Sequence, residues 1–571
     1  MSTRIDALLK RVTDPDLAEQ LRAAVADAQP RREFGLVFER HLPETVELPG
    51  LPVRAGSKVR VVPKRGSTEA ASGLVWKVAT VDGGIADLVS LDGERTERRG
   101  IVDLVAVADF ADPIYPGLRS TEKLPEDDPD QPWHALINAE NYHALLALQY
   151  THAGSIDTIY IDPPYNTGND DWIYADRHVG PEDGFRHSKW LSFMERRLDL
   201  ARKLLKPTGV IICAIGDDEH HRLRMLMDQV FGEQNFISDV VWEGAMANRV
   251  QFTGGGLDYM MIYARDVSAM SGISWRESKS GLQDVLDAGA DAWETSGHDS
   301  VKASRLLSSW WNKNKRAYDP GLGDNVKVDV DGTVIKVGDL SSSSGSTGFY
   351  DVLHPTTRLP VPRSNRGWVC SEETMRRWIA EGRVLFGPDH TSGIRKKTPL
   401  IEMAEQPPRS SFVQDRRAAS LHLARVLGEK RFPFPKDHTV LMRWISMVTP
   451  PEGIILDFFG GSGSTLEAVI RLNVADGGGR RCILVTNNEV GSKAEKAMRK
   501  AGLRDGDPEW EAQGVCEYVT RPRIRTVLTG VRPDGSEFAD TVAGNVECFD
   551  LTYEDPGLVE LDLAFERISP L

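Results

Sequence analysis

The chain has no CxxC pair. Its five cysteines (Cys213, Cys370, Cys482, Cys516 and Cys548) are scattered through 571 residues without zinc-ligand spacing. That pattern fits reduced thiols and gives no set of metal ligands, so no metal is expected. No GxxxxGK[ST] occurs, which excludes a P-loop and with it ATP-driven work by this chain. No apolar run is long enough to span a bilayer, and the first turns carry Asp6, Lys10, Arg11 and Asp14 instead of an apolar signal core. A cytoplasmic protein with no membrane partner is expected. Positive charge is also in short supply: the net charge is −15. A uniformly basic surface is excluded, while a local basic cleft is not.

A hydrophobic content of 40% and a charged content of 27% are ordinary for a soluble globular chain, and the length calls for several domains. Residues 1–44 open with amphipathic periodicity (Ile5, Leu8, Leu9, Val12) and are expected to be helical. From 45 to 112, short alternating runs such as Lys58–Val62 and Gly73–Val78 alternate with Gly and Asp turns, predicting a small barrel-like β domain or meander. The stretch 113–132, with Glu126, Asp127, Asp128 and Asp130, reads as an acidic linker. Strands then alternate with helices over 133–245 and again over 401–530, the pattern of an α/β, doubly wound sheet. Ser188 is the expected N-cap of the helix carrying Trp190, Leu191 and Met194. Residues 246–400 break this rhythm, and 531–571 form a tail.

Two stretches carry chemistry. Ile156–Ile161 is a β-branched run that ends in Asp162-Pro163-Pro164-Tyr165. Two prolines stop ladder pairing there, so an acid, a fixed carbonyl and an aromatic ring emerge together. Such a set can hold and polarise a nucleobase amine; taken alone, it also fits a turn capped by Asp162. The second stretch, Ile454–Asp457 followed by Phe459, Gly461 and Gly463, is a strand, a glycine turn and a helix start. Such turns bring backbone N–H groups to a ligand. The third glycine of the dinucleotide fingerprint is missing, because Leu466 stands there. With Glu489 shortly after the next strand to take ribose hydroxyls, the arrangement suits S-adenosylmethionine.

Asp162–Gly168 followed downstream by Phe459-x-Gly461-x-Gly463 resembles the beta group of DNA amino-methyltransferases, and more closely the modification subunit of type III restriction systems. Tyr259–Ala264, Glu381–Gly387 and Phe434-Pro435-Lys436 support this over roughly residues 133–530. Ala139 and Leu257 depart from residues common in that family (glycine and histidine). The resemblance implies an S-adenosylmethionine-dependent methyltransferase fold with an inserted target-recognition domain, acting on N6 of adenine in double-stranded DNA. It implies Asp162, Pro163, Pro164 and Tyr165 in catalysis, with Asp457, Phe459, Gly461, Gly463, Glu489, Asn166 and Lys436 at the cofactor. It also implies a homodimer and a separate restriction or helicase-nuclease partner. N4-cytosine chemistry and a non-catalytic recognition subunit are the alternatives. A C5-cytosine enzyme is disfavoured, since no cysteine follows a proline. In the insertion, basic residues interleave with Trp311, Tyr318, Trp368 and Trp378. Arg358, Arg363, Arg366, Lys313 and Lys315 are the expected DNA contacts.

Overall fold

Ile156–Ile161 is buried at every position; its β-branched and aromatic residues suit a strand covered on both faces, and Asp157 within it is matched by Lys206 at 2.8 Å. In the computed structural model it lies inside a ten-stranded sheet. The spatial order is Ser411–Val413, Phe236–Glu243, Leu257–Ala264, Leu205–Ile215, Ile156–Ile161, Ile454–Asp457, Arg481–Thr486, Trp133–Asn138, Asn545–Tyr553 and Pro116–Leu124. The run from Leu205–Ile215 to Asn545–Tyr553 is parallel throughout. Leu257–Ala264 is antiparallel to both of its neighbours, and Pro116–Leu124 closes the opposite edge antiparallel. The structure describes residues 35–41, 45–67, 74–109, 114–124, 131–168, 173–174, 177–178, 182–244, 256–323, 325–343, 348–554 and 559.

Several expectations shift. The helical reading of the N-terminal segment falls almost wholly outside the described residues, and 35–41 carry no regular structure. The expected linker contains the edge strand Pro116–Leu124, and the expected tail contains the interior strand Asn545–Tyr553. Neither shows strong alternation of its own; each is stabilised by pairing with a segment some 400 residues away, which local pattern cannot reveal. The helix with Trp190 starts at Arg186. Ser188 therefore sits inside its first turn, with its hydroxyl donating to the Phe185 carbonyl at 3.0 Å.

The chain divides into two compact units, residues 1–272 with 410–571, and residues 273–409. The insertion therefore begins later than residue 246 and ends later than 400, because Leu257–Ala264 is a central strand of the sheet. Within the first unit, Thr45–Asp109 supplies an antiparallel six-stranded sheet around Val59, Trp76, Val78 and Leu88. Its spatial order is Thr45–Glu47, Leu104–Asp109, Lys58–Val61, Val75–Asp82, Ile85–Ser90 and Thr96–Gly100, and its two end strands do not pair with each other among the described residues. Arg65 forks onto Asp507 at 2.6 and 2.7 Å and Arg504 reaches Asp103 at 2.9 Å, tying that sheet down.

The second unit has two cores. Helices Leu282–Thr295 and Ser300–Asn314 pack on Val326, Val328 and Val334, while Leu340, Val352, Trp368 and Met375 form a separate cluster. No helix among the described residues is long and apolar enough to cross a membrane.

Phe549 measures how far the last strand belongs to the core, since it is buried in the main cluster with Ile137 and Leu145. Phe549→Ala should cost roughly 3–5 kcal/mol in urea unfolding. A change of about 0.5 kcal/mol or less, as on a surface, would mean that this strand is a dispensable tail.

Candidate active site at one sheet edge

Register determines which residues meet. Ile159 pairs with Leu456, and Ile161 with Cys213. Each strand continues to its carboxyl end, where ligands bind in open α/β sheets. Asp162 thus emerges beside Phe459 and the glycine turn, and Pro164 beside Gly216. Asp162 and Gly461 belong to the same unit.

Each part of the motif has a separate support. Trp190 Nε1 donates to the Pro164 carbonyl at 2.8 Å, locking the second proline onto the following helix. The Tyr165 ring lies over Gly216, where an added Cβ would come within 2.6 Å of it. Asn166 takes a left-handed backbone (φ 56°) and turns inward; its fully buried amide donates to Glu219. It therefore anchors the exit of the motif.

Lys436 was expected at the cofactor. Its ammonium instead lies 3.3 Å from Asp162 and 3.0 Å from Asp258, and donates to the Tyr165 hydroxyl. Only its backbone faces the glycine turn, the carbonyl accepting from Ser464 Oγ at 2.9 Å. Asp258 is 2% exposed and also meets Arg416 at 3.1 Å. Burial raises the Asp162 carboxyl; Lys436 opposes the shift and Asp258 adds to it, leaving it above the ordinary range. Burial works against the Lys436 charge, but Asp162 and Asp258 outweigh it and hold the lysine protonated. Burial, then Asp162 and Asp258, push the Tyr165 phenol well up, so it stays neutral.

The glycine turn is braced from beneath. Gly461 and Gly463 both have positive φ (46° and 81°), and Gly460 has no room for a side chain against Leu484. Arg523 donates to the Ser462 carbonyl at 3.1 Å, to Ser464 Oγ at 2.8 Å and to Glu467 at 2.6 Å. The other Glu467 oxygen takes Arg471 at 2.8 Å and His422 at 2.7 Å. Burial disfavours this carboxylate, yet Arg523 leads the groups that hold it well below the usual range. His422, His438 and Glu467 bring metal-ligating atoms within 4.8 Å of one another. Two guanidinium groups on the same carboxylate repel a further cation there, so the cluster serves the turn.

Asp457 is likewise turned inward, accepting from Phe459 N at 2.9 Å and Thr465 Oγ1 at 2.6 Å. These two bonds hold the turn in shape. Phe459, half-buried, meets Phe193 at 5.9 Å, and Glu489, past the next strand, accepts from Asn487 at 3.3 Å.

In the second unit the expected DNA contacts Arg358, Arg363, Arg366, Lys313 and Lys315 are all exposed, and none forms an ion pair among the described residues. Other basic residues there are already engaged: Arg376 with Glu372, Arg383 with Glu402, Lys397 with Asp329, and Lys396 over Trp378. The expected stacking aromatics are engaged too. Trp310 and Trp311 stack on Tyr318, and Trp368 is buried with its Nε1 on the Tyr350 carbonyl.

Asp258, Arg416, Gly216 and Arg523 carry no signal in the sequence, since their partners lie far along the chain or across it.

The profile of the family described as DNA methylase, covering N6 and N4 methyltransferases, matches residues 156–475, more than half the chain and both strand ends of this site. The chain belongs to that DNA methylase family. Among curated relatives, the Mod subunit of the type III restriction-modification enzyme EcoP15I of Escherichia coli is 30% identical over 396 residues, 64% of this chain and 60% of that one. The StyLTI Mod subunit of Salmonella typhimurium is 28% identical, covering 69% of this chain and 57% of its own. The type II methyltransferase M.KpnI of Klebsiella pneumoniae is 29% identical, covering 64% and 83%. This DNA methylase family member thus spans about 60% of the length of the Mod subunits it matches. Among solved structures, the cytosine-N4-specific PvuII DNA methyltransferase aligns over 67% of this chain and 92% of its own, with 11% identity and a TM-score of 0.31.

Asp457 offers a test of this site. Burial, countered by its two hydrogen bonds, raises its carboxyl to about 7, against roughly 3.9 in an unfolded chain. Between those values the native state holds a proton that the unfolded chain has released, so stability falls as pH rises through the window. Asp457→Asn should flatten that fall in thermal melts taken across the window. Equal slopes for the two proteins would mean the carboxyl is ionised in both states.

Proposed function

We propose that the chain is a site-specific DNA methyltransferase that transfers the methyl group of S-adenosylmethionine to N6 of adenine in double-stranded DNA, as the modification subunit of a type III-like restriction or phage-defence system. The observation that carries this is the meeting of Asp162 and the glycine turn at one sheet edge, set there by the Ile159–Leu456 register. The named type III Mod subunits and the type II methyltransferase that this chain is similar to point the same way.

The lone pair of an adenine amine is delocalised into its ring. Asp162 and the Pro163 carbonyl accept hydrogen bonds from that amine and localise the pair for attack. Tyr165, neutral and held over Gly216, gives the base a face to stack on. The base must leave the duplex to reach it, at a cost of a few kcal/mol. The fit for the cofactor rests on the open side of the turn: a Cβ on Gly461 would find its nearest neighbour, Phe432, at 3.7 Å. Phe459, Gly461, Gly463 and Glu489 would hold it there. When bound, S-adenosylmethionine supplies the electrophilic methyl. Asp457 and Arg523 keep the turn in shape, and much of the rate gain comes from positioning.

Target recognition falls to the 273–409 unit and its unpaired cations. Arg363 lies 5.3 Å over the exposed Phe349 ring, beside a concavity of about 890 Å³ lined also by Asn365 and His390. The chain works as a homodimer and leaves ATP-dependent cleavage to a second protein.

Asp162→Ala should abolish incorporation of tritiated methyl groups into DNA while cofactor and duplex affinities stay within a few fold, because the lost bond matters most in the transition state. Near-normal transfer would remove Asp162 from the mechanism. Base-resolved mapping in a naive host should show N6-methyladenine; N4-methylcytosine would correct the target.

Replacing a phosphate-contacting cation such as Lys313 should weaken all duplexes alike and lower the salt slope by about one. Arg363→Ala, at a base contact, should cost about 1–3 kcal/mol and relax one position of the recognised sequence. Unchanged preference after Arg363→Ala would move recognition elsewhere.

A further inference from the structure

We infer that Lys436 is a positioning residue for Asp162, keeping that carboxylate charged and aimed as an acceptor, while Asp258 cancels the field the lysine would otherwise place beside the reacting amine. This rests on the methyltransferase reading above and assigns Lys436 away from the cofactor.

The geometry comes from three separate segments. Lys436 enters from the loop before helix His438–Val448. Asp162 ends its own strand, and Asp258 comes from the strand Leu257–Ala264. The Lys436 side chain is 14% exposed, and its ammonium lies between the two carboxylates, at 3.3 and 3.0 Å. Asp258 is held in turn by Arg416, whose guanidinium also donates to the Gly256 carbonyl. Two acids and two cations thus form a neutral, ordered row.

Each member has a reason to be there. Asp162 faces Lys436, Asp258, Tyr165, Tyr160 of its own strand, Cys213 of one neighbouring strand and Asp457 of the other. Lys436 is the only cation among them. Without it, burial and the neighbouring acid would protonate Asp162 and turn an acceptor into a donor. A lone ammonium would oppose the reaction, because methyl transfer moves positive charge from sulfur onto the amine nitrogen. Asp258 removes that opposition while leaving the short-range contact to Asp162. The same ammonium donates to the Tyr165 hydroxyl and sits 4.8 Å from its ring, so acid and stacking ring share one anchor.

The test is a pH profile of single-turnover methyl transfer by the full-length chain, using tritiated S-adenosylmethionine and unmethylated bacterial genomic DNA. K436M should lower the rate by roughly 10- to 100-fold near pH 7 and regain it as pH rises, since its acid limb moves upward. D258N should move that limb the other way, because one carboxylate has gone from beside Asp162. K436R should keep the wild-type limb. Cofactor affinity by calorimetry should stay within about threefold in all three. Limbs that coincide with wild type, with rates merely scaled down, would overturn the inference. So would a K436M defect explained by lost cofactor binding. If K436M fails to fold, the direction of the D258N shift decides alone. A wild-type chain that transfers no methyl group to DNA would sink the underlying reading instead.

Discussion

The parallel pairing of Ile156–Ile161 with Ile454–Asp457 is the constraint on which the rest of the structure depends. It joins segments 297 residues apart, and Asp157 seals it by accepting from the Ile454 amide at 2.8 Å while holding Lys206. Thr158 and Thr449 share a buried hydroxyl bond of 2.7 Å beside it. A slip of one residue would turn every side chain of the strand to the opposite face. Asp162 and the glycine turn would then no longer emerge together, whatever their own conformations.

Around that junction the protein buries ions, which is costly unless each is matched. Two groupings meet the requirement differently. Glu467 takes Arg523, Arg471 and His422 on its two oxygens, and the result is rigid support for a turn whose atoms must not move. Asp162 is matched more sparingly, by one shared lysine and with part of its surface open. A carboxylate saturated like Glu467 would have no lone pair left for a substrate amine. The contrast separates a scaffold ion pair from a reactive one on physical grounds, without reference to family.

The inserted unit shows the same sorting at its surface. Composition marks it as basic and aromatic, yet part of that chemistry is used internally. Arg383 is forked onto Glu402, Lys397 reaches Asp329, and Trp310 and Trp311 stack on Tyr318. Arg358, Arg363, Arg366, Lys313 and Lys315 are among the exposed cations left without a carboxylate among the described residues, and so are available to phosphate or a base edge.

The sequence by itself determined the local pieces: a buried strand ending in Asp162-Pro163-Pro164-Tyr165, a glycine turn opening a helix, and an irregular basic insertion. These follow from short-range chemistry, because proline stops a ladder, glycine permits positive φ, and a β-branched, aromatic run favours a strand. Tertiary structure alone decided that Lys436 faces Asp162 instead of the cofactor turn, that Asn166 and Asp457 point inward, and that Pro116–Leu124 and Asn545–Tyr553 complete the sheet. Apart from Asp457, whose partners Phe459 and Thr465 are local, those outcomes depend on partners tens to hundreds of residues away, such as Asp258 for Lys436, 178 residues apart. Hydrogen bonds and ion pairs select partners by distance in space, and pattern along a chain carries no record of that distance.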